Sequence, residues 1–177
     1  MSHICKNGMC TLIAGIALAC IGFAASAEDQ ALLGRPVPHF EIASLDQPGV
    51  RYSPELLRGT PYLIDFWATW CSYCLAEMDD LHRVHHEFRA LDLQIISVSL
   101  DDAIGEVELF RQDHWPMPWI HANRTFARDG SLASRFGVNG VPSIYLVDGS
   151  GTVVAMDKQL RGERLQKTLR RLLPSGQ

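Results

Sequence analysis

The sequence predicts an α/β fold, a central mixed sheet flanked by helices, and three observations carry that reading. Two apolar runs, Tyr62–Trp67 (YLIDFW) and residues 93–100 (LQIISVSL), are nearly continuous rather than alternating, the mark of strands buried on both faces. Between them, residues 71–91 repeat at helical spacing through Leu75, Met78, Leu81, Phe88 and Leu91, with His82 and His85 near the same stripe. A second helical segment, a hairpin and a terminal helix then follow in order, which fits a sheet covered on both sides.

The remaining elements are read in chain order. Residues 39–43 and 50–52 read as two short strands around the turn cluster Asp46-Gln47-Pro48-Gly49, an N-terminal β-hairpin. Residues 53–57 suggest a helical turn, with Ser53 as N-cap and Pro54 at the first helical position. Residues 103–113 read as a helix, broken by Pro116 and Pro118, and a short strand begins at Trp119-Ile120. Residues 131–136 give a short helix ended by Gly137. Residues 143–147 and 152–156 pair as a hairpin about Asp148-Gly149-Ser150-Gly151. Residues 161–173 form an amphipathic helix that stops at Pro174, with Arg161, Arg164, Lys167, Arg170 and Arg171 along a basic face. That face reads as solvated, or in a sharper form as a contact for membrane phosphates.

Bulk properties bound the function. At 177 residues the chain is expected to hold one domain, residues 28–177, behind a leader at residues 1–27. It is 47% hydrophobic and 20% charged, which is globular rather than disordered. The formal charge of −4 argues against a nucleic-acid partner. The leader has Lys6 as its one Lys or Arg, an apolar stretch to Ala24, and Ala25-Ser26-Ala27 as a cleavage pattern. A cleaved signal peptide and a periplasmic location are therefore expected. An uncleaved membrane anchor is the alternative, and a lipoprotein at Cys20 a weaker one.

Of five cysteines, Cys5, Cys10 and Cys20 fall in that leader, so the exported domain keeps only Cys71 and Cys74. A disulfide scaffold uses more cysteines than this, and a bridge over two residues closes too small a loop to stabilise much. The pair leaves a buried strand and opens a helix, at the carboxyl end of a parallel strand where α/β sheets place their sites. There, helix N–H groups and the macrodipole favour a thiolate. Cys71 is then the exposed nucleophile and Cys74 the buried resolving thiol of a disulfide-exchange couple. A zinc or copper site made from both thiolates and a histidine is the binding-protein alternative. His82 and His86, four residues apart, begin two turns too far along the helix for it.

The stretch Tyr62 to Cys74 (YLIDFWATWCSYC), with Gly140-Val141-Pro142-Ser143 far downstream, resembles the thioredoxins. Within them it is most similar to the TlpA-like (ResA-like) group of exported or membrane-tethered bacterial thioredoxins. The resemblance implies a thioredoxin-like fold, in which the helical segment 103–111 and the run to Trp119 are a helical insertion between strand and helix, and a protein-disulfide reductase. Its redox group is the Cys71–Cys74 disulfide itself, with no further cofactor. It implies a cis peptide at Pro142, which with Val141 and Trp70 would contact substrate. It makes Glu77 an acid that tunes thiol protonation, and Asp65 a buried acid that exchanges a proton with Cys74. It implies exported disulfide-bearing proteins as substrates and a membrane electron donor as the source of reducing power. Potentials in this fold span about −270 to −120 mV, so oxidation or isomerisation stands as the rival direction.

Three departures bear on these implications. Ser72-Tyr73 lacks the proline common between the two cysteines, which leaves the potential open. Asp79 stands where many relatives kink the helix with proline. The acidic loop of dedicated cytochrome c maturation thioredoxins is missing, so that narrower role is not assigned. A peroxidase is disfavoured, because the nucleophile follows Trp70 rather than sitting in a threonine-based pocket.

Overall fold

The computed structural model describes residues 32–123 and 132–173. The leader, Ser131 and Pro174 lie outside the described residues. A five-stranded mixed sheet runs β5 (Ile120–Asn123), β4 (Gln94–Ser99), β3 (Tyr62–Trp67), β6 (Ser143–Val147), β7 (Val153–Met156). β3, β4 and β5 are mutually parallel, and β6 and β7 are antiparallel to their neighbours. The predicted mixed sheet is therefore present, with β3 at its centre.

Alternation along β3 divides the core into two layers. Leu63 and Trp67 face a layer built by α1 (Ser72–Glu87), α2 (Ile104–Asp113) and α4 (Glu163–Leu172), through Met78, Leu81, Val107, Leu165 and Leu169. Tyr62, Ile64 and Phe66 face the other layer, which holds Phe40, Leu57 and, from α3 (Leu132–Arg135) and its exit, Leu132 and Phe136. Asp65 shares the side of Leu63 and Trp67, so its carboxyl points into the layer that carries α1.

Several boundaries differ from the sequence reading. The N-terminal hairpin shrinks to β1 (Ile42–Ala43) and β2 (Arg51–Tyr52), paired as a separate two-stranded sheet. Residues 53–57 make a single hydrogen-bonded turn rather than a helix. Ser53 caps it through Oγ, which accepts the Leu56 N–H at 3.4 Å, and Leu57 N–H donates to Ser53 O at 3.1 Å. α1 stops at Glu87, where a 3-10 turn at Arg89–Leu91 replaces its last predicted residues. The terminal helix starts later than its charge pattern suggested. Gly162 adopts φ +54° as its N-cap, so Arg161 lies in the preceding turn and leaves the basic face.

Candidate active site

β3 delivers its chain to the site. Beyond Trp67 the backbone turns through Ala68, whose carbonyl accepts the Cys71 N–H at 3.1 Å. Cys71 is the N-cap of α1, in an extended conformation, and its Sγ accepts the N–H of Cys74 at 3.1 Å. It is disulfide-bonded to Cys74, with Cα atoms 5.2 Å apart. A helix N-terminus offers unpaired donors and positive potential, so the bond that caps α1 in this state also favours a thiolate once the disulfide opens. One expectation needs correcting. Cys71 is not exposed here: it is 6% accessible against 2% for Cys74. In the oxidised state Cys71 is packed into the α1 layer, to which Val141 also belongs, and the difference between the two sulfurs is small.

The loop before Cys71 is latched from β4. Asp101, fully buried just past the end of β4, accepts the Thr69 N–H with both carboxylate oxygens at 3.2 and 3.1 Å. Thr69 Oγ1 donates to Oδ1 at 2.7 Å and Ser99 Oγ donates to Oδ2 at 2.6 Å. A buried carboxylate is tolerable because these donors surround it. Leu100 N–H donates to Trp67 O at 2.8 Å, extending the β3–β4 pairing into the turn. The motif reading missed this latch. Its signal was an aspartate closing an apolar strand, with serines at alternate positions 97 and 99.

Sheet register brings the second motif to the same place. Phe66 pairs with Ser143 between antiparallel β3 and β6, so the residues before Ser143 lie beside those that follow Phe66. These are Val141 and Pro142, joined by a cis peptide bond as the resemblance implied, and both are half-buried. Ser143 Oγ donates to Gly140 O at 2.8 Å and steadies the loop. Trp67 is fully buried, whereas Trp70 and Tyr73 are 68% and 77% exposed. Two large aromatic side chains thus stand in solvent on either side of Cys71, and sequence reasoning had singled out only Trp70.

Two acids stand on the elements that lead into and carry the pair, Asp65 on β3 and Glu77 on α1. Asp65 is buried, and its Oδ2 accepts from Ser97 Oγ at 3.2 Å. Ser97 pairs with it across the parallel β3–β4 ladder and accepts in turn from Trp119 Nε1 at 2.9 Å. Burial is the main cause that pushes the Asp65 carboxyl up to about 7. The Ser97 bond opposes that rise, Glu77 adds to it, and Arg161 opposes it. Glu77 lies one turn beyond Cys74 and is engaged by Arg161, whose Nη1 donates to Oε1 and Oε2 at 2.7 and 2.6 Å. Arg161 was read as surface charge, and its place at the site is a property of the tertiary fold.

The histidines sit elsewhere. His82 and His85, which share the apolar stripe of α1, turn inward against Trp119, with ring centroids 4.9 and 5.7 Å away, while His86 is exposed. Burial lowers the His82 and His85 pKa values from the ordinary imidazole range. Among the described residues, no three His, Cys, Asp or Glu side chains are grouped so as to hold a metal ion.

Comparison with known proteins places this architecture. The model of the AhpC/TSA family matches residues 33–156, which include β3, both cysteines and the cis-proline loop. The chain belongs to the AhpC/TSA family. Among family relatives, it is 34% identical over 127 residues to the thiol:disulfide interchange protein DsbE of Escherichia coli strain K12. That match covers 71% of this chain and 64% of the Escherichia coli protein, so the chain spans less than two thirds of that relative. The DsbE of Pseudomonas aeruginosa is 29% identical over 149 residues, covering 81% of this chain and 78% of that protein. Among solved structures, the thioredoxin domain of a thiol-disulfide oxidoreductase from Bacteroides vulgatus superposes with a TM-score of 0.68 at 26% identity. It covers 80% of this chain and 97% of that domain. The fold is thioredoxin-like, of the kind that the two sequence motifs indicated.

Proposed function

We propose that this protein is a thiol–disulfide oxidoreductase that reduces disulfides of exported proteins. The observation that carries the reading is the Cys71–Cys74 disulfide at the N-terminus of α1, with cis-Pro142 brought beside it by the β3–β6 register. In the reduced protein, the Cys71 thiolate attacks one sulfur of a substrate disulfide. That S–S bond breaks, the other substrate sulfur leaves as a thiolate and takes a proton from water, and a mixed disulfide to Cys71 forms. Cys74 then gives its proton to the Asp65 carboxylate across the α1 layer. Its thiolate attacks Cys71 Sγ and releases the second substrate sulfur. Two electrons pass from the dithiol to the substrate, and the Cys71–Cys74 disulfide is the product. An acid held near 7 suits this exchange, since it is divided between both protonation states at neutral pH.

Trp70, Tyr73 and the Val141-Pro142 edge form the surface on which a substrate chain would lie. The relatives' names support the disulfide-exchange chemistry. The leader pattern supports a periplasmic site of action and a membrane donor that returns the two electrons. In that compartment, kept oxidising, a reductant depends on such a donor. Cys71→Ser is expected to abolish exchange, and Cys74→Ser to accumulate mixed disulfides with periplasmic proteins, visible on non-reducing gels. Absence of any trapped species from the Cys74→Ser protein would contradict the assigned roles.

A further inference from the structure

One guanidinium joins three elements around the disulfide. Arg161 Nη1 donates to both oxygens of Glu77, and Nη2 donates to the carbonyl oxygen of Pro142 at 2.6 Å. Nη2 also lies 3.6 Å from Asp157 Oδ1, which accepts the backbone N–H of Ile144 at 3.2 Å. Glu77 is on α1, Pro142 is the cis residue of the loop facing that helix, and Arg161 is fixed in the turn that Gly162 ends. The Arg161 and Glu77 side chains are 22% and 25% exposed, so solvent screens them only in part.

We propose that Arg161 is a positioning residue of the thiol–disulfide site: it holds the cis-Pro142 loop against the helix that carries Cys71 and Cys74, and sets its positive charge directly against that of Glu77. The proposal rests on the thiol–disulfide reading of the two cysteines. A planar guanidinium reaches a carboxylate and a carbonyl at once in a fixed fork. A lysine ammonium keeps the charge but not the fork. The groups bearing on Asp65 come from separate elements: Ser97 from β4, Glu77 from α1, and Arg161 from the turn before α4. Glu77 raises and Arg161 lowers the proton affinity of Asp65, so removing either partner alone unbalances it in opposite directions.

The test is the rate at which the reduced full chain reduces oxidised glutathione between pH 5 and 9. It compares the wild type with Arg161→Met, Glu77→Gln, the double variant and Arg161→Lys. Arg161→Met should slow the reaction at pH 7 about tenfold, equivalent to about 1.4 kcal/mol, and move the pH midpoint upward. Glu77→Gln should move the midpoint downward. The double variant should return the midpoint to the wild-type value and stay slow, because the loop is still unclamped. Arg161→Lys should recover the midpoint but not the rate. An Arg161→Met protein with wild-type rate and midpoint would overturn the proposal, as would a double variant that keeps the Arg161→Met midpoint. Should Arg161→Met fail to fold, the comparison of Arg161→Lys with Glu77→Gln decides: a full rate in the first, or an unmoved midpoint in the second, overturns the assignment. A wild-type protein inert towards oxidised glutathione would instead overturn the thiol–disulfide reading itself.

Discussion

Replacing Asp65 by asparagine should make the oxidised protein more stable above neutral pH and slower in exchange. The carboxyl is raised from 3.8 to about 7 in the folded protein, chiefly by burial. A folded-state pKa above the unfolded one means that the folded chain keeps a proton which the unfolded chain has lost. That stability is fully present below pH 4 and disappears as pH rises through 7. Each tenfold change in proton affinity corresponds to about 1.4 kcal/mol, so the whole effect is about 4 kcal/mol. Roughly 3 kcal/mol of it falls between pH 5 and 8.5.

The wild-type curve alone would hide this. His121 is buried neutral in β5, with its pKa lowered to about 4 by burial first and Arg111 second. A lowered histidine pKa makes stability fall as pH drops from 6.5 towards 4, the opposite slope over nearly the same window. The readout is therefore the difference between Asp65→Asn and wild type, measured by urea unfolding with the disulfide intact. Urea is uncharged and leaves electrostatics unscreened. The asparagine amide oxygen keeps an acceptor for Ser97, so the two proteins should lie within about 1 kcal/mol of each other at pH 4. By pH 8.5 the variant should lead by about 3 to 4 kcal/mol. A gap of the same size at both pH values would refute the account of Asp65 as a buried acid with a raised pKa. Unchanged release of substrate from the mixed disulfide would separately refute its role as proton acceptor for Cys74.

Further outcomes follow from other contacts. His121→Gln, which keeps a donor for Met117 O, should remove about 3 kcal/mol of acid-dependent loss between pH 6.5 and 4, measured by the same unfolding series. Thr69→Val should cost about 1–2 kcal/mol by removing the Oγ1 donor to Asp101, and Asp101→Asn about 3 kcal/mol by turning an amide donor on Thr69 N–H. Both can be read by chemical unfolding, and wild-type stability in Asp101→Asn would contradict the latch. The Trp70→Ala, Tyr73→Ala double variant should react with a small aromatic disulfide at the wild-type rate and with a disulfide-bonded protein several-fold more slowly. Equal slowing of both reactions would move the two aromatics from docking to the chemistry itself.

Sequence and structure agree most closely where residues carry local information. Tyr62–Trp67 is legible as a central strand because both of its faces are apolar, and its one charge therefore marks Asp65. The place of Cys71 at a helix start follows from strand-to-helix periodicity, and the register that brings Pro142 to it follows from the fold the motifs imply. Readings fail where the deciding contact is distant. Arg161 continues a basic stripe at helical spacing, and only the positive φ of Gly162 and a partner 84 residues away remove it from the helix. The burial of Cys71 depends on packing between α1 and the Val141 loop, which no local pattern encodes. The turn at residues 53–57 has a good cap, but a single turn is too short to propagate as a helix.

The most direct test of the central claim is the equilibrium reduction of Cys71–Cys74 in glutathione or dithiothreitol buffers, followed by tryptophan fluorescence. Buried Trp67 and exposed Trp70 stand on either side of the turn into Cys71. The account predicts one reversible two-electron transition, abolished in Cys71→Ser, with a potential of about −220 mV or lower as a periplasmic reductant requires. A potential near −120 mV would reverse the direction of electron flow. No reversible transition at all would contradict the claim that this disulfide is the working group of the protein.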